Sequence, residues 1–486
     1  VSAAGRRALL SSAAIAASLY FDFTQMSSLP AANFSYVGAS LRTIIDATGA
    51  LTSAPNQALL NNATLSTQSV TVTPAWNYML SFFGTGSITL SGAATGTLSG
   101  TGASNQVYLK ITAPSAGSLT LSVSGSVTAA VLSAVTYETT PRPGDQVITT
   151  SAQFYGPAFD YSQSSIGAPL GLRIEESRTN VVLYDRALTN ASWVAGATMT
   201  VAQSQTGIDG VANSAALLTG GAASLTNTLL QSITLASSAR YQTAYVKRVT
   251  GTGTVNMTQD GGTTWTAISG AINSSTWTRV SIPTQTIANP SVGFQIVTSG
   301  DAIAVDLVQN ENGAFATSGI ITAGSSVTRA ADVVGIVGNA LNALKVTPGT
   351  AIVETGAISG YAGYARIIGG GSTGTGLLAI NGNTSQLNTY EGVILTTTYG
   401  GGINVSTAQS FRSGVSWSAS GRSLVGNGGS VASDTHNIIH DTSSCLGNYG
   451  GAYAFLDGHV TKLALYNKAL PPSALQAKTV LGASLH

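Results

Sequence analysis

The sequence predicts an all-β, multidomain chain: serial β-sandwiches and jelly rolls behind a short N-terminal docking segment. Three observations carry that expectation. The 486 residues suggest about three domains at ~150 residues each. Runs such as Leu119-Thr120-Leu121-Ser122-Val123-Ser124 alternate apolar and polar, the period of a strand with one dry face and one wet face. The 56 glycines, with Ser and Thr throughout, put tight turns between short strands and leave little room for long helices.

Composition narrows the function classes. Apolar residues make up 43% and charged residues only 8%, against about 25% in ordinary soluble domains. Twenty Lys+Arg against nineteen Asp+Glu leave a net charge of +1, so no basic field exists to hold a phosphate backbone and no nucleic acid is expected. Abundant Val, Ile, Leu and Thr argue against disorder. The single cysteine, Cys445, excludes an intramolecular disulfide framework and a CxxC zinc site. Histidine occurs only late in the chain, at 436, 440, 459 and 486. The balance is that of an inert β protein kept soluble by hydroxyl groups, and no enzyme is expected.

Along the chain, Gly5-Arg6-Arg7 followed by Ala8–Leu19 has the pattern of a secretory leader. It is too short for a comfortable membrane span, and no other stretch is long and apolar enough for one. The favoured reading of residues 1–20 is an arm that docks on a neighbouring subunit or a larger particle. Residues 21–55, with Phe21-Asp22-Phe23, Phe34-Ser35-Tyr36 and the turn Asp46-Ala47-Thr48-Gly49, join residues 141–180 as a base of β segments. Residues 56–140 form a small inserted β-sandwich, with strands at 87–91, 107–111 and 119–124. Pro141-Arg142-Pro143-Gly144 is a stiff junction. Residues 181–335 read as a jelly roll, with Tyr241–Lys247 and Ala302–Val308 as its clearest strands. Residues 336–486 form a last β-sandwich that closes on Val460–Tyr466, followed by a short helix near Leu470–Ala477 with prolines at its start. No fixed-period repeat emerges.

The most polar stretch is Arg173-Ile174-Glu175-Glu176-Ser177-Arg178-Thr179-Asn180. Adjacent residues of a strand point to opposite faces, so Glu175 and Glu176 cannot easily flank one glycosidic bond. A structural clasp built on Glu175, Arg178 and Asn180 is the better reading. This stretch, with Leu183-Tyr184 and Asn190-Ala191-Ser192-Trp193, resembles a motif of bacteriophage fibre and head-spike proteins. Phe159-Asp160-Tyr161 before Gly167-Ala168-Pro169-Leu170-Gly171, and Val327-Thr328-Arg329-Ala330-Ala331-Asp332, resemble the segments that usually precede and follow it. The tail Gly458-His459-Val460 to Leu470 is similar to the end of a concanavalin-like, laminin-G-type domain.

That resemblance implies a carbohydrate-binding-module-like jelly roll at 181–335 and a concanavalin-like sandwich at 336–486. It implies a place on the surface of a virion, as a fibre or spike on head or tail. The N-terminal arm would then contact other virion proteins, a homotrimer would be the usual assembly, and host-surface polysaccharide or lipopolysaccharide the ligand. Two further readings stand beside it: a purely structural particle protein without a ligand, and a polysaccharide depolymerase.

Candidate side chains follow from chemistry. Thr258-Gln-Asp260-Gly-Gly262-Thr-Thr264-Trp265 has the spacing of a sialidase Asp box, in which the Asp accepts turn N–H groups, the second Gly takes a positive φ and the Trp plugs the strand pair. A single copy, with no arginine triad, reads as a structural turn at Asp260, Gly262 and Trp265. Sugars stack on aromatic faces, so Trp193, Tyr241, Tyr245, Trp265 and Trp277 are the jelly-roll candidates. Trp193 is expected in the core and Trp277, after a polar turn, in either place. In the last domain Tyr361, Tyr364, Tyr390, Tyr399, Tyr449 and Tyr453 lie in Gly-rich stretches suited to ligand loops. His436, His440, Asp441, Cys445 and His459 are metal-type residues in strand-and-turn surroundings, where an i, i+4 spacing loses its zinc geometry. No cofactor and no metal are expected, a structural Ca²⁺ near Asp306 and Glu311 being the one option left open.

Overall fold

A computed structural model of the chain describes residues 17–115, 117–221, 226–358, 364–370, 376–381, 386–389, 395–398, 410–436, 438, 443–448 and 454–485. It is all-β, built of antiparallel sheets, with two compact units. One unit comprises Val1–Val37, Leu170–Glu176 and Asp332–His486; the other comprises Gly38–Pro169 and Ser177–Ala331. The segments expected as one base are therefore shared between two units. Strand pairing at long range, rather than position in the chain, decides which residues go where. Leu19–Asp22, at the end of the expected arm, is a strand on the edge of Gly458–Tyr466, and Phe34–Val37 pairs with Val333–Ile336. The rest of the arm, residues 1–16, lies outside the described residues.

In the first unit, one sheet runs through Gly458–Tyr466, Gly349–Ile358, Phe411–Ser418, Gly421–Gly426 and Ala432–Asp434. The other is seven-stranded, from Phe34–Val37 through Val333–Ile336, Ser444–Leu446 and Tyr364–Gly370 to Leu395–Thr398. Ile352, Val425, Ala464 and Tyr466 form a core with Leu470, Leu475 and Leu485 of the C-terminal segment. Phe34 meets Phe21 and Phe23 edge-on at 4.9 and 5.6 Å, which fixes the N-terminal strand to the same body. The helix Pro472–Thr479 begins behind Pro471, where a missing N–H costs nothing. Arg412, fully buried, holds its far end: Nη1 donates to the carbonyls of Lys478, Val480 and Ala483 at 3.0, 3.0 and 2.8 Å, while Nε donates to Glu354 at 2.9 Å.

The second unit contains two sandwiches. In the first, Asn77–Gly84 lies between Gly102–Ile111 and Val127–Val135, and a four-stranded sheet orders Gln68–Val72, Gly117–Ser124, Ser87–Gly92 and Gly96–Ser99. The period-two pattern works out as expected of a half-buried strand: Ile88, Leu90, Leu119 and Leu121 are buried while Ser118, Ser122 and Thr89 face outward. The second sandwich has two five-stranded sheets. One carries three long strands, β1 (Ser238–Thr250), β2 (Thr278–Ile287) and β3 (Ala302–Asn312), with β1 between the other two. Ala244, Val246, Val280, Ile282, Ile303 and Val305 point from them into the core against Val255, Met257, Val292 and Phe294 of the opposite sheet.

The outward face of β1–β3 is partly covered. The hairpin Thr43–Ile45/Leu51–Ser53 lies against it, with the Leu51 N–H donating to Ile208 O at 3.0 Å and Thr43 Oγ1 to Gly319 O at 2.6 Å. Ile45 and Leu51 share one buried cluster with Tyr245, Leu307 and Ile321. Arg142, in the Pro-Arg-Pro-Gly junction, anchors the hairpin by donating to Ser53 O at 2.8 Å while it pairs with Asp145 and Glu138 at 2.8 and 2.9 Å.

Candidate functional site

At the margin of that covered face a groove of about 360 Å³ stays open. Its walls are Thr48 and Gly49 of the hairpin turn, Gln163 and Ile166, Gly207, and Ser275–Trp277. Each wall is fixed by a local device. Asp46 Oδ1 accepts the Thr48 and Ala50 N–H groups at 2.8 and 3.1 Å, which rounds the hairpin turn. Asn273 Oδ1 accepts the Ser275 and Thr276 N–H groups at 2.9 and 2.8 Å and so turns the chain into Trp277. Gln163 Nε2 donates to Trp277 O at 3.0 Å and joins the two sides.

Trp277 is half-buried, one part packed against the Leu51 cluster and the rest on the groove. Lys247 Nζ stands 5.4 Å from its ring centroid. Ile166 is 65% exposed, an apolar residue left in water beside an aromatic plate. The arrangement offers part of an indole ring with an ammonium over it, an aliphatic edge and a rim of hydroxyl and amide groups. That combination suits a ring with one apolar face and a polar perimeter.

Behind the groove lies a buried ionic cluster. Arg186 donates from Nε to Asp306 Oδ1 and from Nη2 to Asp209 Oδ2, both at 2.7 Å. Asp306 also accepts the Ile208 N–H at 3.0 Å. Burial pushes the Asp306 carboxyl upward against the pull of Arg186, and burial holds Asp185 well above the usual carboxylate range. A Cβ at Gly207 would stand 2.5 Å from Asp306 Oδ2, so only glycine lets the groove wall approach this cluster.

The other sequence candidates fall elsewhere. Trp193 is 5% exposed and donates to Tyr184 O at 3.2 Å. Asp260 Oδ1 accepts the Thr264 N–H at 2.9 Å and the Thr258 hydroxyl at 2.7 Å, and Oδ2 accepts Gln285 at 3.2 Å. Burial raises that carboxyl, but these donors outweigh it and hold it below the usual range. Gly262 sits at φ +91°, and a Cβ there would come within 2.7 Å of Trp265 Cζ2. Asp260, Gly262 and Trp265 thus make a structural turn, tied to β2 by Gln285.

Asn180 is wholly buried. Its amide donates to Val308 O and Ile320 O at 3.2 and 2.9 Å, and its oxygen accepts the Val182 and Asn310 N–H groups at 3.2 and 3.1 Å. The Arg178 guanidinium lies 4.5 Å from the Phe315 ring centroid. In the other unit, the Glu175 N–H donates to Asp332 Oδ2 at 3.0 Å and its carbonyl accepts the Asp332 N–H at 2.9 Å. None of these groups lines the groove.

Tyr361, Tyr390, Tyr399, Tyr449 and Tyr453 lie outside the described residues, as do His440 and Asp441. Tyr364 opens the strand Tyr364–Gly370. His459 is opposite Arg173 in the sheet and accepts from its Nε at 3.3 Å; burial, then the Arg173 charge, push its pKa down to about 3 against an opposing pull from Glu175. Asp306 and Glu311 are separately satisfied, Glu311 by Gln309 and Thr317. Among the described residues, no group of three or more His, Cys, Asp or Glu side chains could hold a metal, and no helix is long and apolar enough to cross a membrane.

A second hydroxyl-rich groove, of about 380 Å³, lies in the other unit between Ser416–Ser423 and Ala469–Pro472. Its tryptophan, Trp417, is only 1% exposed and donates to Val346 O at 2.8 Å, so no aromatic face is presented there. Sequence reasoning reached Trp277 but missed Lys247, Gln163 and Ile166. Lys247 was legible in one respect, since it shares the face of Tyr241 and Tyr245 by period two.

No protein-family model matches the chain, and no curated protein does. Among solved structures, the CBM40 module of the Ruminococcus gnavus IT-sialidase bound to α2,6-sialyllactose is similar at 15% identity and a TM-score of 0.23, over 29% of this chain and 88% of that one. The same module bound to α2,3-sialyllactose gives 16% and 0.23. The Trypanosoma rangeli sialidase is similar at 15% identity and a TM-score of 0.23, and the match covers 24% of that enzyme.

Proposed function

We propose that this chain is a glycan-binding, non-enzymatic structural protein of a bacteriophage particle, a fibre or spike on head or tail. Its β modules hold host-surface polysaccharide or lipopolysaccharide and aid adsorption. The observation that carries the glycan reading is the half-buried Trp277 face in a groove rimmed by hydroxyl and amide groups and held by an Asx turn at Asn273. The virion reading rests on the Ile174-Glu175-Glu176-Ser177-Arg178-Thr179-Asn180 stretch and its flanking motifs, in a chain with very few charges. A homotrimer fixed to other virion proteins through the N-terminal arm accompanies it. Among the described residues no pair of carboxylates lines the groove, which favours binding over hydrolysis.

The test is gold labelling of intact particles with an antibody against residues 336–486, beside competition of adsorption by the purified chain. Label on the particle with reduced adsorption is the expected result. Absence of label from every particle would remove the virion reading, and label without competition would leave a purely structural component.

A further inference from the structure

The glycan reading leaves the ligand's charge open, and the outward face of β1 and β2 speaks to it. The register places Tyr245 opposite Arg279 and Thr243 opposite Ser281, and one step further along lie Lys247 and Trp277. The Arg279 guanidinium stands 5.7 Å from the Tyr245 ring centroid and Lys247 Nζ 5.4 Å from that of Trp277. Tyr241 extends the row and donates to Ser281 at 3.1 Å. Lys247 over Trp277 and Arg279 over the buried Tyr245 thus lie in one row that ends at the groove.

Neither cation has a carboxylate partner among the described residues. Five arginines elsewhere are spent on acids: Arg142 on Glu138 and Asp145, Arg186 on Asp209 and Asp306, Arg248 on Asp301, Arg412 on Glu354 and Arg422 on Asp434. Arg279 donates one hydrogen bond, to Thr243 Oγ1 at 3.1 Å. The carboxylates of β3 on the same side are already used, Asp306 by Arg186 and Glu311 by Gln309 and Thr317. Both side chains are partly exposed, so they remain within reach of a ligand.

Resting on the glycan reading, we infer that the strip Trp277–Lys247–Arg279–Tyr241 takes an acidic glycan, one whose sugars carry carboxylate or phosphate groups. Sugar rings stack at Trp277, and the anionic substituents meet Lys247 and then Arg279. Arg279 keeps its Nη1 N–H groups for an oxyanion, its Nε being buried and its Nη2 spent on Thr243, and Lys247 acts as a point charge. A net charge of +1 gives the molecule no general attraction for polyanions, so a preference for charge would have to be local.

The experiment is affinity electrophoresis of the full chain through gels holding polygalacturonate, phosphorylated mannan or neutral dextran. At low salt, retardation by at least one charged polymer should exceed that by dextran about tenfold, and the two charged gels separate a carboxylate ligand from a phosphate one. Raising salt from about 0.05 M to about 0.5 M should remove most of the difference. K247Q, at a partly exposed position, should lower the charged polymers toward the dextran level, and Arg279→Gln should do the same. Equal retardation by charged and neutral gels would overturn the inference and leave the glycan reading standing. So would a charge preference that survives both variants. Retardation by none of the three gels would remove both readings.

Discussion

Trp277 is held from three sides: by the Asn273 turn before it, by Gln163 on its carbonyl and by packing against the Leu51 cluster. A plate fixed in this way needs no ordering when a sugar arrives, which lowers the entropic cost of binding. Gly262 is constrained by different means. Its φ of +91° and the 2.7 Å approach of a Cβ to Trp265 predict that Gly262→Ala destabilises the chain by about 1–3 kcal/mol, measured by denaturant unfolding. Glycan retention should be unchanged, because the Asp260 turn lies outside the groove. His459 supplies a pH test. With its folded pKa near 3 and an unfolded value near 6.5, the unfolded chain binds the extra proton in that window. Stability should therefore fall as pH drops from about 6.5 toward 3. His459→Gln, which still accepts from Arg173, should flatten that slope; an unchanged acid profile would show that the imidazole does not titrate as described.

Two elements close their units, and each can be tested by one change. The C-terminal helix is tied by Arg412 to three carbonyls, and Arg412 is itself paired with Glu354. Arg412→Ala leaves Glu354 with Lys462 and frees the helix end, so a loss of about 3 kcal/mol and faster amide exchange across 472–485 are expected. Leu51→Ala in the covering hairpin should cost about 2–5 kcal/mol. It should also loosen Trp277, so that retention on glycan falls with stability.

The short strands with clean alternation were legible because each needs only its own residues: 87–91 and 119–124 reveal their dry face locally. The Asp260 turn was legible for the same reason. What stayed hidden depends on pairing at a distance. Nothing in Leu19–Asp22 names Gly458–Tyr466 as its neighbour, and nothing in Thr43–Ser53 says that it will cover β1. Lys247 became a site residue only when the β1–β2 register brought it beside Trp277.

For the whole molecule, low charge has a structural counterpart. Many acids sit in buried pairs or turns, while Lys247 and Arg279 lie on one strip without an acid partner among the described residues. The fold is a scaffold of sandwiches, and the proposed site occupies a small margin where one sheet escapes its cover. The account therefore turns on Trp277, and the most direct measurement is binding of the full chain and of Trp277→Ala to a glycan array, with melting temperatures recorded in parallel. The chain should bind, and the variant should lose about tenfold or more in affinity with its melting temperature nearly unchanged. Undiminished binding by a folded Trp277→Ala chain would place the glycan site elsewhere and contradict the account.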